Sequence, residues 1–484
     1  MRLSRLIVLL LFALSANTVM ADLPRRAFLG AALLEVCDSL IRAQNLEEST
    51  GVLVDYVLDG STAGSIGLLK GDIILSANEK PARSATEFVR HISGYQEGDY
   101  VELSIKRGET PLTLRGVMGG VPQETSPYAN VLYDQVAFED GYVRTIIHKP
   151  EIPGKYPALF FIQGYTCSSM DNLHEHSTIR KLLEGISKEG YVVIKTEKAG
   201  VGDSRSSRSC REITLFEEAS LFEASFNALK KYDFIDHDNV FVFGHSMGGV
   251  QAPLMQPDFD PRGIIVYGTV VRPWFEYFTE QHRIQRLMMG QDYLDNEASH
   301  QRAVRFYYRF MIEKEDPEML IQDPEMAEFM ENNWRYEQGG VMNGRHYTFW
   351  QQLQDTNLFR AWSNTNAYVL SLHGEGEYIA FNPWEHELIA DIVNHYNPGK
   401  ARFISVPNTD HSFIFANDIP HAMSIRNDAQ YWRENFNYYF VRLVTEWMDE
   451  TRAKDESRGK DESRGKDESR GKAGTLPGEG GRSE

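Results

Sequence analysis

Residues 240–249 read Val-Phe-Val-Phe-Gly-His-Ser-Met-Gly-Gly. Four apolar residues in a row are typical of a short strand that is buried on both faces of a sheet. This strand runs directly into Gly-x-Ser-x-Gly, the pattern of a sharp turn between a strand and a helix. Side chains at Gly244 and Gly248 would collide with neighbouring elements in such a turn. The segment therefore predicts an exposed Ser246 hydroxyl at the carboxyl end of a strand, with the Met247 amide facing the same space.

Short apolar runs and helical patterns alternate on both sides of this segment. The apolar runs lie at 156–163, 191–196, 239–243, 263–268, 367–372 and 401–406. Continuous apolar runs indicate strands of a parallel sheet, and helices between them imply right-handed crossovers. Residues 130–450 are therefore predicted to form an α/β domain with a doubly wound, mostly parallel sheet.

A serine hydroxyl becomes nucleophilic when a base takes its proton, and an acid orients that base. His411 follows the last predicted strand, from which its imidazole can reach back to Ser246. Two carboxylates, Glu375 and Glu377, follow the preceding predicted strand. A carboxylate elsewhere, such as Asp391, is a further candidate for the acid.

With these features, residues 130–450 resemble the α/β-hydrolase superfamily of serine esterases and peptidases. In that family the strand before the acid often ends in Gly-x-x-Asp, and this register selects Glu377, with glutamate in place of the commoner aspartate. The resemblance implies that Ser246 is the nucleophile, His411 the base and Glu377 the acid.

The resemblance also implies an oxyanion hole built from two backbone amides. One is the amide of Met247. The other belongs to the loop after the first predicted strand, where the family usually has His-Gly-x and this chain has Gln163-Gly164-Tyr165. The resemblance matches Tyr165 to the second donor and gives the turn at 197–204 a structural role.

An insertion between the sixth strand and the acid forms a lid in this family, and residues 274–362 occupy that place. Its aromatic side chains either line an apolar pocket or pack in the lid's own core. Its glutamates either bind a substrate amine, as in related aminopeptidases, or form a solvated helix face. These glutamates are Glu313, Glu315, Glu318, Glu325, Glu328 and Glu331.

Residues 22–120 have a different organisation, with short strands, tight turns and one amphipathic helix. The run at 67–74, Gly-Leu-Leu-Lys-Gly-Asp-Ile-Ile, resembles the PDZ domains of secreted bacterial proteases. PDZ domains add an extended peptide to a sheet edge and bind its terminal carboxylate with backbone amides. The position that matches this carboxylate loop is Phe28-Leu29-Gly30. The domain is either a peptide-binding module or a rigid appendage.

Residues 1–21 have the layout of a secretory signal peptide. Arg2 and Arg5 precede an apolar run at 6–16, which is shorter than the roughly 20 residues that span a bilayer. We therefore expect a secreted or periplasmic protein that starts near Asp22, with no membrane span after cleavage. An uncleaved anchor or a buried helix is the alternative.

The chain has three cysteines, too few for a disulfide scaffold. In an oxidising compartment, Cys167 and Cys210 can pair, because they lie in loops after neighbouring predicted strands. Three unpaired thiols remain the alternative, because the sequence does not supply the Cα separation that a disulfide requires.

Two polar segments flank the large predicted domain. Residues 121–129 carry two prolines and are predicted to be a linker. Residues 451–484 contain the repeat Lys-Asp-Glu-Ser-Arg-Gly, which starts at Lys454, Lys460 and Lys466 and has no apolar residue. This tail is predicted to be disordered, because it cannot bury enough surface to offset the entropy of ordering.

Composition excludes several classes of function. The 484 residues include 50 Lys and Arg against 69 Asp and Glu, a net charge of −19, which argues against a nucleic-acid partner. The chain has no phosphate-binding loop, His-Glu-x-x-His or Cys-x-x-Cys pattern, so no metal or organic cofactor is predicted.

The sequence thus predicts a secreted serine hydrolase that cleaves a peptide or a carboxylester bond through an acyl-enzyme. The PDZ-like domain favours a peptide, since it can hold a chain end. A carboxylesterase with a purely structural PDZ domain is the first alternative, and a non-catalytic peptide-binding adaptor is the second.

Overall fold

The computed structural model describes residues 23–36 and 51–471 of the chain. The predicted signal peptide at 1–21 and Cys37 lie outside the described residues. Two domains are formed, a small one between Ala27 and Gly120 and a large one that begins at Asn130. Across the described ranges, every helix is too short or too polar to span a lipid bilayer.

The small domain is an antiparallel sheet covered by a helix. Its strands are β1 (Ala27–Phe28), β2 (Ala31–Glu35), β3 (Val52–Val57), β4 (Ile73–Ala77), β5 (Lys80–Pro81), β6 (Tyr100–Arg107), β7 (Thr110–Val117) and β8 (Gly119–Gly120). Its helices are α1 (Thr62–Ser65) and α2 (Ala85–Ile92). The main sheet has the order β2-β3-β4-β6-β7, so β2 is an edge strand of the described sheet, and it lies beside α2.

The large domain is built on a mostly parallel sheet. The remaining strands are β9 (Asn130–Phe138), β10 (Gly141–Lys149), β11 (Tyr156–Ile162), β12 (Val192–Thr196), β13 (Ile235–His245), β14 (Gly263–Tyr267), β15 (Val341–Met342), β16 (Arg345–His346), β17 (Tyr368–Gly376) and β18 (Ala401–Asp410). Eight of them join in the order β18-β17-β14-β13-β11-β12-β10-β9. From β18 to β12 all neighbours are parallel, whereas β10 and β9 add an antiparallel edge that the sequence analysis does not predict.

Helices cover both faces of this sheet, which confirms the predicted doubly wound α/β fold. The helices are α3 (Thr178–Lys188), α4 (Leu215–Asn227), α5 (Met247–Gln251), α6 (Trp274–Met288), α7 (Tyr293–Tyr307), α8 (Pro317–Leu320), α9 (Pro324–Trp334), α10 (Tyr347–Asp355), α11 (Leu358–Ser363), α12 (Pro383–Tyr396), α13 (Ile419–Ile425), α14 (Ala429–Glu434) and α15 (Tyr438–Gly471). Along β13, Val240 and Val242 pack in one core with α4 and α12. Phe241 and Phe243 point to the other face and pack with α3 and α15. The alternation buries β13 on both sides.

The predicted lid, residues 274–362, contains α6 to α11 and the hairpin β15–β16. It lies between β14 and β17 in the chain. Aromatic side chains form much of its interior, and Trp334 contacts Phe278, Phe306, Phe310 and Trp350. The lid is therefore a packed body with its own core.

Arg25 joins the two domains. Its buried guanidinium lies 2.6 Å from Asp171 and 2.5 Å from Asp203, both in loops of the large domain. Glu124, in the predicted linker at 121–129, is also buried. The connection between the domains is thus packed against the large domain.

The C-terminal tail requires a correction. Disorder is expected from the sequence for residues 451–484, but α15 continues through the repeats to Gly471. The start of α15 packs on the sheet through Phe440, Val444 and Trp447. An anchored helix adds one hydrogen bond for each further residue, because its nucleation cost has already been met. Residues 472–484 lie outside the described residues.

Candidate active site

Ser246 lies at the turn between β13 and α5 with a strained backbone. Its φ of 56° and ψ of −121° are rarely adopted by residues other than glycine, at a cost on the order of 1–3 kcal/mol. A Cβ at Gly244 would lie 2.3 Å from the Gly248 carbonyl oxygen, and a Cβ at Gly248 would lie 2.1 Å from that of Ile162. Only glycine fits at these two positions, which explains the Gly-x-Ser-x-Gly pattern.

His411 follows β18 and lies in the same cavity as Ser246. Both side chains line this cavity, which has a volume of about 370 Å³. Two contacts hold the loop around His411: His245 Nε2 lies 2.9 Å from the His411 carbonyl oxygen, and the Tyr267 hydroxyl donates to the Asp410 carbonyl at 2.5 Å. No sequence pattern around His245, Tyr267 or Asp410 indicates these supporting contacts.

Glu377 follows β17 and contacts His411 directly. Its Oε2 lies 2.7 Å from His411 Nδ1. Its Oε1 accepts hydrogen bonds from the backbone N–H groups of Ile379 at 2.7 Å and Ala380 at 3.1 Å. The carboxylate is fully buried. These three contacts therefore fix its orientation relative to the imidazole.

The other two candidate acids lie elsewhere. Glu375 is exposed, and its Oε2 accepts a hydrogen bond from the backbone N–H of Asn408. Asp391 is exposed on α12. Of the three carboxylates considered, the structure brings Glu377 to His411.

The electrostatics of this pair favour an ionised Glu377 beside a His411 ring that binds its proton more tightly than a free imidazole does. Burial raises the pKa of Glu377, but His411, His373 and the hydrogen bond from the Ile379 N–H together outweigh burial and hold that pKa at about 2. Burial lowers the pKa of His411, but the carboxylates of Glu377 and Asp410 together outweigh burial and raise that pKa above its usual value. An Nδ1–H that donates to Glu377 leaves the lone pair of the neutral ring on Nε2.

Met247 and Tyr165 both line the cavity beside Ser246. Met247 is the first residue of α5, and the first N–H groups of a helix have no partner within that helix. Tyr165 belongs to the loop after β11, and a Cβ added to the preceding Gly164 would lie 3.5 Å from Ser246 Cβ. Both predicted oxyanion donors are thus on elements that border Ser246.

A disulfide bond joins Cys167 to Cys210, with their Cα atoms 5.7 Å apart. Cys167 is two residues beyond Tyr165. Cys210 is buried, and its N–H donates to the Ala199 carbonyl at 2.6 Å. The bond anchors the Tyr165 loop to the turn that follows β12.

The walls next to Ser246 are uncharged apart from histidine. Lid residues Trp274, Phe278 and Trp350 line the 370 Å³ cavity, and a second cleft of about 310 Å³ borders Ser246 on the side of the Tyr165 loop. None of the described residues that line either space is Asp, Glu, Lys or Arg. The lid glutamates are therefore not in the wall of either space, and the substrate-amine alternative finds no carboxylate there.

In the small domain, the Phe28-Leu29-Gly30 segment directs two carbonyls inward. The Phe28 carbonyl accepts a hydrogen bond from the Thr62 hydroxyl at 2.7 Å, and the Leu29 carbonyl accepts one from the Ala63 N–H at 2.8 Å. The N–H and C=O of a trans peptide point in opposite directions. The N–H groups of Leu29 and Gly30 therefore point away from these partners, at the start of β2.

A comparison with protein families assigns this small domain. Residues 35–115 match the family described as PDZ domain. These residues form a PDZ domain.

Curated relatives match over a length similar to that of the PDZ domain. The probable periplasmic serine endoprotease DegP-like of Ectopseudomonas mendocina (strain ymp) is 31% identical over 99 residues, 20% of this chain and 21% of its own. The periplasmic pH-dependent serine endoprotease DegQ of Escherichia coli (strain K12) is 35% identical over 88 residues, 18% of this chain and 19% of its own. The chain thus spans about a fifth of the length of these relatives.

A solved structure resembles the larger part of the chain. Est1E from Butyrivibrio proteoclasticus is 15% identical, with coverage of 66% of this chain and 99% of its own and a TM-score of 0.38. The large domain itself has the α/β-hydrolase fold, with a sharp turn at Ser246 after β13 and further polar side chains after β17 and β18.

Proposed function

We propose that this protein is a serine hydrolase that cleaves an acyl bond through a covalent acyl-enzyme. Ser246 attacks the carbonyl carbon while His411 Nε2 takes the hydroxyl proton, and His411 then gives this proton to the leaving group. The amides of Tyr165 and Met247 stabilise the oxyanion, and Glu377 stabilises the imidazolium. Water that loses a proton to His411 then attacks the acyl carbon, which releases the acid and restores Ser246.

The observation that carries this proposal is the 2.7 Å contact between His411 Nδ1 and Glu377 Oε2, beside a cavity that His411 and Ser246 share. Acyl transfer requires a base with a defined tautomer next to an exposed hydroxyl. The strained turn at Ser246 supports the same role, because strain of this kind is concentrated at functional sites.

The proposed substrate is a carboxylester or a peptide amide that carries no charge next to the scissile bond. The same machinery hydrolyses both kinds of bond. An ammonium or carboxylate group bound beside Ser246 would lose its hydration, and the walls, as far as the structure describes them, hold no Asp, Glu, Lys or Arg to replace it. Esters and internal or blocked peptides are therefore expected to be better substrates than peptides with a free amine at the scissile residue.

We further propose that the PDZ domain binds the carboxyl terminus of a peptide at Phe28, Leu29 and Gly30. The N–H groups of Leu29 and Gly30, which point away from Thr62 and Ala63, and the neighbouring strand β2 at the edge of the described sheet support this role. Binding of a chain end favours the peptide substrate over the ester. A carboxylesterase with a structural PDZ domain is the alternative, and it predicts that the full-length protein binds no peptide on a carboxyl-terminal peptide array.

The proposed compartment is the periplasm or the exterior, reached through a signal peptide at residues 1–21. Two observations support it. The protein contains the Cys167–Cys210 disulfide, a bond that persists in oxidising compartments. The relatives reported above are named as periplasmic proteins. Cell fractionation with an amino-terminal sequence of the mature protein tests this point.

The test of the proposed activity is labelling with a fluorophosphonate probe, which reacts with activated serines. The wild type is expected to be labelled, and Ser246→Ala is expected to remain unlabelled while it keeps the same circular dichroism spectrum. An unlabelled wild type would support the peptide-binding adaptor instead. Assays with p-nitrophenyl esters beside aminoacyl and N-acetylated aminoacyl amides then separate esterase from peptidase activity.

A further inference from the structure

Three charged side chains with no solvent exposure lie behind the Tyr165 loop. They are Lys198, Glu218 and Arg345. Lys198 Nζ lies 3.1 Å from Glu218 Oε1, and Arg345 Nη2 lies 2.7 Å from Glu218 Oε2. Lys198 follows β12, Glu218 lies on α4, and Arg345 begins β16 in the lid hairpin. The cluster therefore joins the sheet, a helix and the lid.

Such a cluster is a costly way to fill a protein interior. Buried ion pairs often contribute no more stability than apolar side chains of the same volume, because both partners lose their hydration. Burial also lowers the pKa of Lys198 to about 8, despite the attraction of Glu218. Two cations and one anion leave one unbalanced positive charge.

Each cation donates a hydrogen bond to one backbone carbonyl of the Tyr165 loop. Lys198 Nζ donates to the Gly164 carbonyl at 2.6 Å, and Arg345 Nη1 donates to the Tyr165 carbonyl at 2.9 Å. The Gly164 carbonyl and the Tyr165 N–H belong to one trans peptide and point in opposite directions. When Lys198 holds the carbonyl, the Tyr165 N–H therefore points away from Lys198, and a Cβ added at Gly164 would lie 3.5 Å from Ser246 Cβ.

The same cluster also contacts the helix that begins with Met247, the other proposed oxyanion donor. Gln251 Nε2 donates to Glu218 Oε1 at 3.2 Å. Gln251 ends α5, the short helix that Met247 begins. Glu218 thus connects the helix that begins with Met247 to Lys198 and Arg345, the two cations that contact the Tyr165 loop.

We propose that Lys198 and Arg345 are positioning residues, which hold the Gly164-Tyr165 peptide so that its N–H meets the oxyanion formed on Ser246. Because Arg345 belongs to the lid, the proposal makes the shape of the oxyanion hole depend on a docked lid. A cation on the carbonyl side also polarises the peptide and strengthens its N–H as a donor. This inference rests on the proposed hydrolase function.

The test compares substitutions of two lysines: Lys198, in the turn after β12, and Lys195, within β12. Lys198→Met removes the contact with the Gly164 carbonyl. Lys195→Met is the matched control. Lys195 is also buried, but its Nζ lies 2.5 Å from the carboxylate of Glu124, in the predicted linker at 121–129, rather than near the Tyr165 loop. With p-nitrophenyl butyrate, Lys198→Met is expected to lower kcat by about 100-fold, the effect of losing one oxyanion donor. Its KM is expected to stay within about threefold of wild type, because ground-state binding is kept.

A second readout separates positioning from general destabilisation. Phenylboronic acid forms a tetrahedral adduct with an active serine and uses the oxyanion hole, so its inhibition constant is expected to rise with the loss in kcat for Lys198→Met. Arg345→Met is the second variant and is expected to show both effects. Each variant is compared at a temperature well below its own melting transition.

Three results would overturn the inference. Lys198→Met and Arg345→Met with wild-type kcat would do so, as would an equal loss of kcat in Lys195→Met. A loss of kcat with an unchanged boronic acid inhibition constant would also do so. In all three cases the wild type still hydrolyses the ester. A wild type that shows neither hydrolysis nor fluorophosphonate labelling would instead refute the proposed function, and the inference with it.

Discussion

Substitution of Glu377 by glutamine replaces one oxygen of the carboxylate, and the structure determines which one. Oε1 accepts two backbone hydrogen bonds, from Ile379 at 2.7 Å and Ala380 at 3.1 Å. The amide oxygen of the new glutamine must stay at this position, because an NH₂ group there would face two donors. The NH₂ group then occupies the position of Oε2 and donates to His411 Nδ1.

This hydrogen bond selects the wrong tautomer of the base. With Nδ1 as the acceptor, the ring proton lies on Nε2, which can no longer take the proton of Ser246. The corresponding change in a serine protease triad lowers kcat by about 10⁴-fold. At about 1.36 kcal/mol for each factor of ten, we expect Glu377→Gln to raise the barrier by about 5.4 kcal/mol.

The assay is the kcat/KM of p-nitrophenyl butyrate at pH 8, with circular dichroism to confirm the fold. Glu375→Gln is the matched control, because Glu375 is exposed and its carboxylate contacts the backbone of Asn408 rather than His411. The control is expected to keep wild-type activity. If Glu377→Gln keeps more than a tenth of the wild-type rate, or if Glu375→Gln loses as much, the assignment of the acid is refuted.

The site and its disulfide give three further predictions. His411 must be neutral to act as the base, and its pKa is raised, so kcat/KM is expected to rise with pH with an apparent pKa above the usual 6.5. An apparent pKa below 6.5 in the acid limb of the profile would contradict this. Gly268→Ala is expected to lower kcat at least about 100-fold in folded protein, because the new Cβ would lie 2.7 Å from His411 Nδ1 and 2.8 Å from Glu377 Oε2. Steady-state kinetics that match wild type would exclude this close approach of Gly268 to the His411–Glu377 pair. Replacement of Cys167 and Cys210 by alanine is expected to lower the free energy of unfolding by roughly 2–4 kcal/mol, because the bond closes a loop with a sequence separation of 43; unchanged urea unfolding would argue against the bond.

The candidate site is predictable because its parts lie at the ends of strands. Ser246 sits in a local pattern that a single turn geometry requires, and the structure gives it that geometry. Glu377 follows the buried strand β17, and His411 follows the neighbouring edge strand β18. These two strands are parallel, so their carboxyl ends meet at the same edge of the sheet. Short-range patterns therefore carry both the fold of the large domain and its candidate triad.

The supporting cluster has no such local pattern. Lys198, Glu218 and Arg345 are separated by 20 and 127 positions in the sequence, and each looks like an ordinary charged residue of a turn, a helix or an insertion. Their burial depends on how the lid packs against the sheet, which hydrophobic periodicity does not report. Strands β9 and β10 are missed because neither is a continuous apolar run. Strand β9 is a partly exposed edge strand, and β10 carries Arg144, Thr145 and His148, which the fold buries.

The most direct test of the central claim is the mass of the protein during turnover. A rapid-quench experiment with p-nitrophenyl butyrate, followed by peptide mapping, is expected to find a butyryl group on the peptide that contains Ser246, formed in step with a burst of p-nitrophenol. The burst and the adduct are both expected to be absent in Ser246→Ala. Hydrolysis without any adduct, or with an adduct on another residue, would contradict the account.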